Sequence, residues 1–265
     1  MTTAVAETRR YSIAVCKGGA LLQETKTLLR AWEPGESPAD FRERVVREDI
    51  LGKMTAHRAG DIVGRVFGRR YLRPSNRPAL LLKRLLERGH PGPVFSDLCL
   101  LYAARADDLM RDAVTRLYWP ALAEGRVTIS PSYVVEFLRE AERDGRLAAP
   151  WSENVKLKIA RGVLKALTEF GLLKQIGRGK RELIHFHASD GAIAYVAYDL
   201  HFEGYTDSAL LNAEDWRLFG LRTSDVASAL DRLSGAGWWV AQVAGVVVRI
   251  TWKYRTMEEV VHALS

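Results

Sequence analysis

The sequence predicts a mainly α-helical protein, in which an N-terminal helical bundle precedes units that join a helix to a β-hairpin. Two observations support this fold class. Apolar residues recur at helical spacing through roughly the first 145 residues, and no convincing strand occurs before Leu172. After Gly145 the pattern changes, and a helix, a glycine stop and two short strand-like segments follow one another twice.

Glycine and proline signals divide the N-terminal region into helices. The first covers residues 19–32, and a second begins at Ser37 and Pro38, which suit the N-cap and the first helical position. Four glycines interrupt the apolar pattern of residues 41–72, so we expect two helices there with a break near Gly60. Further helices are expected over residues 78–87, 96–123 and 130–143. A break of the second of these near Ala106 remains an alternative.

The C-terminal half repeats one plan. A helix over residues 153–170, capped by Ser152 and stopped by Gly171, leads into strands at residues 172–176 and 182–187. Near the C-terminus, Thr223 or Ser224 caps a second helix that ends at Leu233. The hairpin that follows comprises residues 238–243 and 246–254 and turns at Ala244-Gly245.

The segment Gly177-Arg178-Gly179-Lys180 admits two interpretations, a phosphate-binding loop or the tip of a hairpin. A phosphate-binding P-loop lies between a strand and a helix, and Ser or Thr follows its lysine. Here a strand pattern follows the loop and Arg181 follows the lysine. The sequence therefore predicts a hairpin.

A basic helix that leads into a charged hairpin is typical of a winged helix-turn-helix. Lys158, Arg161 and Lys165 form a stripe at positions i, i+3 and i+7, and Lys156 flanks it. The predicted wing carries Lys174, Arg178, Lys180 and Arg181. A solvated charged face is the alternative, but basic residues on both helix and wing favour nucleic acid.

This plan predicts three consecutive domains. Residues 1–147 form the helical N-terminal domain, and residues 148–200 form a winged-helix-like domain with the basic helix and wing. Residues 201–265 form a helix–hairpin–helix unit with a second winged-helix-like plan. The aromatic residues and mixed charges of this last unit favour packing or protein interaction over DNA binding.

Charge is segregated along the 265 residues, whose formal net charge is +7. Residues 42–77 contain ten basic and four acidic residues, and residues 151–182 contain eight and three, whereas residues 183–231 contain two and eight. The two basic blocks predict a polyanionic partner. In the first block the candidate contacts are Arg58, Arg65, Arg69, Arg70 and Arg73, and Asp61 is expected to pair with Arg65 at i+4. RNA and an acidic protein surface remain alternatives for this block.

Composition indicates a soluble, cytoplasmic protein. We expect no signal peptide and, because no apolar run reaches membrane-spanning length, no membrane span; we expect Cys16 and Cys99 to be buried, reduced thiols. His185 and His187 would share one face of a strand, but a metal site would need a third ligand. The acidic pairs Asp107-Asp108 and Glu214-Asp215 are explained by helix caps or solvated faces. We therefore expect no enzymatic activity, cofactor or metal.

The chain contains several ordered signatures: YSIAVCKGGALLQETKTLLRAW, VVEFL, WSENVKLKIARGVLKALTEFGLLK, HFEGYTDSALLNAEDWRLFGL and AGVVVRITWKYRTMEEVVHAL. Through them the chain resembles the BrxA family of bacterial BREX phage-defence systems. It implies a helical N-terminal domain comparable to the NusB fold, then winged-helix elements, DNA binding without known enzymatic activity, and other BREX proteins as partners. It does not identify the contacting residues.

These observations together predict a DNA-binding component of a phage-defence system. We expect it to bind double-stranded DNA mainly through phosphate contacts, with modest sequence preference. The alternative function is an interaction scaffold whose basic surfaces dock an acidic partner protein or RNA.

Overall fold

The computed structural model describes residues 10–12, 19–52, 54–89, 92–147, 149–244 and 247–264. Within these residues the chain is mainly helical with small antiparallel sheets, which confirms the predicted fold class.

The elements follow the chain in this order. Before the first strand they are α1 (Leu22–Ala31), α2 (Pro38–Arg47), α3 (Ala56–Asp61), the π-helix π1 (Ile62–Leu72), α4 (Arg77–Glu87), α5 (Gly92–Ala106), α6 (Asp108–Asp112), the π-helix π2 (Ala113–Tyr118) and α7 (Trp119–Ala123). The middle of the chain contains β1 (Thr128–Ile129), α8 (Pro131–Arg143), α9 (Glu153–Glu169), β2 (Leu173–Gly177) and β3 (Lys180–Leu183). The rest contains α10 (Asp190–Phe202), α11 (Asp207–Leu210), the 3-10 helix Glu214–Phe219, α12 (Thr223–Gly235), β4 (Trp239–Ala244), β5 (Val247–Trp252) and α13 (Met257–Ala263).

Contacts divide the chain into two compact units. Unit 1 contains the described residues up to Leu21 together with Ala103–His185, and unit 2 contains Leu22–Tyr102 with Phe186–Ser265. Each unit combines two separate stretches of chain, so this division does not follow the three consecutive segments expected from the sequence. Sequence periodicity shows where elements begin and end, but not which distant elements pack together.

Unit 1 is built around a three-stranded antiparallel sheet of order β1-β3-β2. The prediction that no strand precedes Leu172 is wrong, because β1 pairs Thr128 with Glu182 and Ile129 with Arg181. A strand of two residues is too short for a period-2 pattern, and only its pairing with β3 defines it. Helix α9 packs against both α8 and β2. The apolar face of α8 and α9 is buried: Val134, Leu138, Ile159, Val163 and Leu167.

Helix α10 forms part of the core of unit 2. It is apolar on nearly all faces and is therefore buried. Tyr198 on this helix ties the C-terminal hairpin to the core. Its hydroxyl donates to the carbonyl oxygen of Trp238 (2.5 Å) and accepts from the backbone N–H of Lys253 (3.2 Å). The strands of this hairpin pair from Trp239–Trp252 to Ala244–Val247, and Gly245 in its predicted turn lies outside the described residues.

Two predicted helix boundaries are wrong. The interruption after α2 lies at residues 48–55, and Gly60 lies inside α3, which continues directly into π1. Gly60 does not end the helix, and it leaves room for the Arg42 side chain, since a Cβ at Gly60 would be 3.1 Å from Arg42 Nε. In α12 the N-cap is Arg222, whose N–H donates to Asp225 Oδ2 (2.9 Å), rather than Thr223 or Ser224.

Candidate nucleic-acid interface

Helix α9 presents an exposed basic stripe on the side opposite its buried apolar face. Ser152 begins the helix, since its Oγ accepts the N–H of Val155 (3.4 Å), which confirms the predicted N-cap. Lys158, Arg161 and Lys165 are all exposed. Lys165 Nζ lies 3.5 Å from Glu169 Oε1, a surface pair one turn away that leaves the ammonium group in water. The stripe can therefore meet an anionic ligand.

Lys156, which was predicted to extend this stripe, lies elsewhere. Its side chain is buried, and its Nζ donates to Glu142 Oε2 (2.6 Å) and to Glu153 Oε1 (3.1 Å). The hydrogen bond to Glu142 raises the pKa of Lys156, and the same bond lowers the pKa of Glu142. Lys156 lies two residues before Lys158, which corresponds to about 200° around a helix, so the two side chains point to different faces. It connects α9 to α8 and is not an available cation.

The hairpin β2–β3 carries a second group of exposed cations. Its turn is made at Gly179, whose φ of +79° favours glycine. Lys174, Arg178 and Lys180 are exposed. Arg181 differs: it is half-buried, pairs in register with the buried Ile129, and its Nε is buried with no hydrogen-bond partner among the described residues. Its charge is therefore less accessible than the sequence suggests.

The arginine block lies in unit 2, on α3, π1 and the residue that follows. Arg65 Nε lies 3.1 Å from Asp61 Oδ1, which confirms the predicted pair. Arg69 and Arg73 are exposed and Arg58 is half-buried. Arg70 is buried, with 7% of its surface accessible, so the structure does not support its assignment as a surface contact.

Arg42 is a member of this surface that sequence reasoning missed. It is exposed on α2, and its side chain lies against Gly60 of α3 and Gly64 of π1; a Cβ on Gly64 would be 3.5 Å from Arg42 Cδ. The glycines at positions i and i+4 signal a close approach on one helix face. Nothing local in the sequence shows which side chain uses it.

His185 and His187 do not share a strand face. Strand β3 ends at Leu183, not at residue 187, so His185 and His187 lie outside the strand on which they were expected to share a face. Among the described residues no group of three or more His, Cys, Asp or Glu side chains could hold a metal ion. The acidic pair at residues 107–108 has a structural role, since Asp107 Oδ1 accepts the N–H of Leu109 (3.0 Å) as the N-cap of α6. Cys99 is buried as expected, and Cys16 lies outside the described residues.

The fold and this surface define a class: a mainly helical protein with small antiparallel sheets and a basic helix that leads into a basic hairpin. The chain belongs to the BrxA family, whose family model matches residues 9–196. This confirms the resemblance found in the sequence and makes the protein a component of a BREX phage-defence system.

One solved structure supports the fold independently. The crystal structure of an uncharacterized protein from Magnetospirillum magneticum is similar to this chain, with a TM-score of 0.60 and 15% sequence identity. The match covers 81% of this chain and 100% of that one. At this identity the similarity concerns the fold alone. A comparison with curated proteins finds no match. In the described part of the chain, no helix combines the length and apolar character needed to cross a membrane.

Proposed function

We propose that this chain binds duplex DNA within a BREX system, mainly through phosphate contacts and without catalysing a reaction. The element order of unit 1 supports a winged helix-turn-helix, in which α8 and α9 are the helix pair and β2–β3 is the wing. In such a fold the second helix lies in the major groove and the wing reaches the backbone or the minor groove.

One observation carries the proposal: six exposed cations lie on α9 and on the hairpin that directly follows it. They are Lys158, Arg161, Lys165, Lys174, Arg178 and Lys180. Residues 151–182 contain three carboxylates, and two of them are already engaged. Glu153 accepts from Lys156 and Arg139. Glu169 accepts from the N–H of Ala20 and also pairs with Lys165, one of the six cations (3.5 Å). The local acids therefore leave most of the basic surface unneutralised.

Phosphate contacts predict a steep dependence on salt. Each neutralised phosphate contributes about 0.9 to the slope of log K against log salt concentration, so six contacts predict a slope of about −5. Specificity should be modest, because lysine and arginine on such a surface mostly position a protein on the phosphate backbone.

The decisive experiment measures duplex binding by fluorescence anisotropy across a salt series. The variant K158E/R161E/K165E reverses the stripe on α9. The matched control R116E/R126E/R143E changes the net charge of unit 1 by the same amount at exposed arginines already paired with Asp112, Glu124 and Glu136. We expect the first variant to lose most of its affinity and the control to keep it at moderate salt. Wild-type binding that is absent or independent of salt would contradict the proposal.

The alternative, in which the basic surfaces dock an acidic protein or RNA, gives a different result in the same assay. A docking scaffold would bind duplex DNA weakly. The variant K158E/R161E/K165E would then lose affinity for a BREX partner protein or for RNA instead of for DNA. Melting temperatures of both variants check that the fold is intact.

A further inference from the structure

The hairpin of unit 1 exposes a large aliphatic side chain among its cations. Ile176 on β2 has 50% of its surface accessible, and Lys174, Arg178 and Lys180 around it are also exposed. A single exposed aliphatic residue is ordinary on a protein surface. Ile176, however, also lies at an irregularity in the pairing of β2 with β3.

A β-bulge places Ile176 outside the ladder. Gln175 pairs with Arg181 and Gly177 pairs with Lys180, so Ile176 is the extra residue of β2 and has no partner on β3. A bulge bends the strand and redirects the side chain of the extra residue, and bulges are enriched beside functional sites.

The packing of unit 1 leaves half of the Ile176 surface uncovered. The apolar contacts of the hairpin with the core are made at its base, where Leu173 pairs with Leu183 and both are buried. Ile176 lies beyond that pair, close to the turn at Gly179. Its apolar surface is thus available to a ligand that the surrounding cations attract.

We propose that Ile176 is a wedge that enters the minor groove of bound duplex DNA and opens a base step. This inference rests on the proposed function, because the wing must first reach the DNA. The chemistry fits, since minor-groove proteins combine basic residues on the phosphates with an inserted Phe, Leu, Ile, Met or Pro, and the insertion kinks the duplex. The three exposed cations would hold the backbone while the isoleucine displaces water from the groove.

The test uses the full-length protein and a short duplex labelled at its two ends with a donor and an acceptor fluorophore. Wild-type protein should raise energy transfer because a kink of about 20–90° brings the ends together. I176A should bind about tenfold more weakly, in line with the loss of buried methyl groups, and should no longer raise the transfer. I176L keeps an apolar wedge and should restore bending. V127A, which shortens another exposed aliphatic residue of unit 1, is the matched control and should behave as wild type.

A further variant, I176K, separates wedging from charge: it should bind DNA in a salt-dependent way without bending it. The proposal is overturned if wild-type protein binds without raising energy transfer, or if I176A still bends the DNA, with or without loss of affinity. Absence of any wild-type binding would instead refute the proposed function, and the wedge with it. The two failures are therefore distinguishable.

Discussion

Lys156 Nζ lies 2.6 Å from Glu142 Oε2 and connects α9 to the end of α8. The same carboxylate accepts the N–H of Trp151 through Oε1 (3.1 Å), so Glu142 also holds the segment that joins the two helices. A second connection runs from Arg139 on α8 to Glu153 on α9 (2.7 Å). These contacts set the position of the helix whose outer face is the candidate DNA surface.

Two lysines on α9 separate the structural role from the binding role. Lys158→Met should weaken duplex binding about three- to tenfold and leave the melting temperature unchanged, because it removes one exposed cation from the proposed DNA surface. Lys156→Met should keep the affinity within about twofold but lower the melting temperature, because Glu142 then loses the ammonium that compensates its charge. Anisotropy and thermal unfolding on the two variants provide both readouts.

The reverse result would require reassigning Lys156. If Lys156→Met reduced DNA affinity as strongly as Lys158→Met while melting at the wild-type temperature, its contacts with Glu142 and Glu153 would not be holding the fold. Lys156 would then contact DNA directly.

The arginine surface of unit 2 is a separate candidate contact, and the salt slope tests it. Gln substitutions at Arg65, Arg69 and Arg73 should lower the magnitude of the slope by up to about three if each arginine neutralises one phosphate. Arg65 already pairs with Asp61, which reduces its expected contribution to the slope. An unchanged slope would exclude this surface from the DNA site and leave it to a protein or RNA partner.

Most of the helices and the caps at Ser37 and Ser152 were predictable because they depend on local signals. Ser37 and Ser152 are N-caps as expected, and each accepts the N–H three residues later. The glycine loop at residues 177–180 is a hairpin turn, as its strand context predicted. Local side-chain chemistry decides these features, so the sequence contains enough information.

The site was less predictable because accessibility depends on packing between distant segments. In the local sequence, Lys156 and Arg70 cannot be distinguished from their exposed basic neighbours. They are buried only because of how the surrounding elements pack. Arg42 reaches the arginine surface across 18 residues of sequence to Gly60, and β1 exists only through its pairing with β3. Charge and spacing in the sequence pointed to the two basic blocks, residues 42–77 and 151–182, but did not show which of their cations are exposed.

Gly191 on α10 tests close packing in unit 2. A Cβ at this position would be 2.7 Å from Val94 Cγ2 and 2.9 Å from Leu264 Cδ2. Val94 lies in α5 and is restricted at χ1, so it cannot easily turn away. Gly191→Ala should therefore destabilise the protein by about 1–3 kcal/mol in spite of alanine's higher helix propensity. Chemical denaturation measures this change.

Two further variants check this explanation. Gly235→Ala on α12 introduces a Cβ with nothing within 4 Å and should be neutral or slightly stabilising. Val94→Ala added to Gly191→Ala should recover part of the lost stability, because it removes the methyl groups nearest to the new Cβ. A Gly191→Ala protein as stable as wild type would show that the side chains of Val94 and Leu264 have room to move.

His201 makes the stability of unit 2 depend on pH. Its ring stacks on Trp252 with centroids 4.3 Å apart, and burial lowers the pKa of His201 below its ordinary value of 6.5, partly offset by the charge of Asp207. Because the folded pKa is the lower one, the unfolded chain binds protons first as pH falls. Stability from this group is therefore complete above pH 6.5 and is lost as pH falls through the folded pKa.

His201→Phe keeps an aromatic ring against Trp252 but cannot be protonated. When the pH is lowered from about 8 to about 5.5, the melting temperature of His201→Phe should fall less than that of wild type, since the two proteins share all other titrating groups. Equal falls in the two proteins would mean that His201 has the same pKa in the folded and unfolded states.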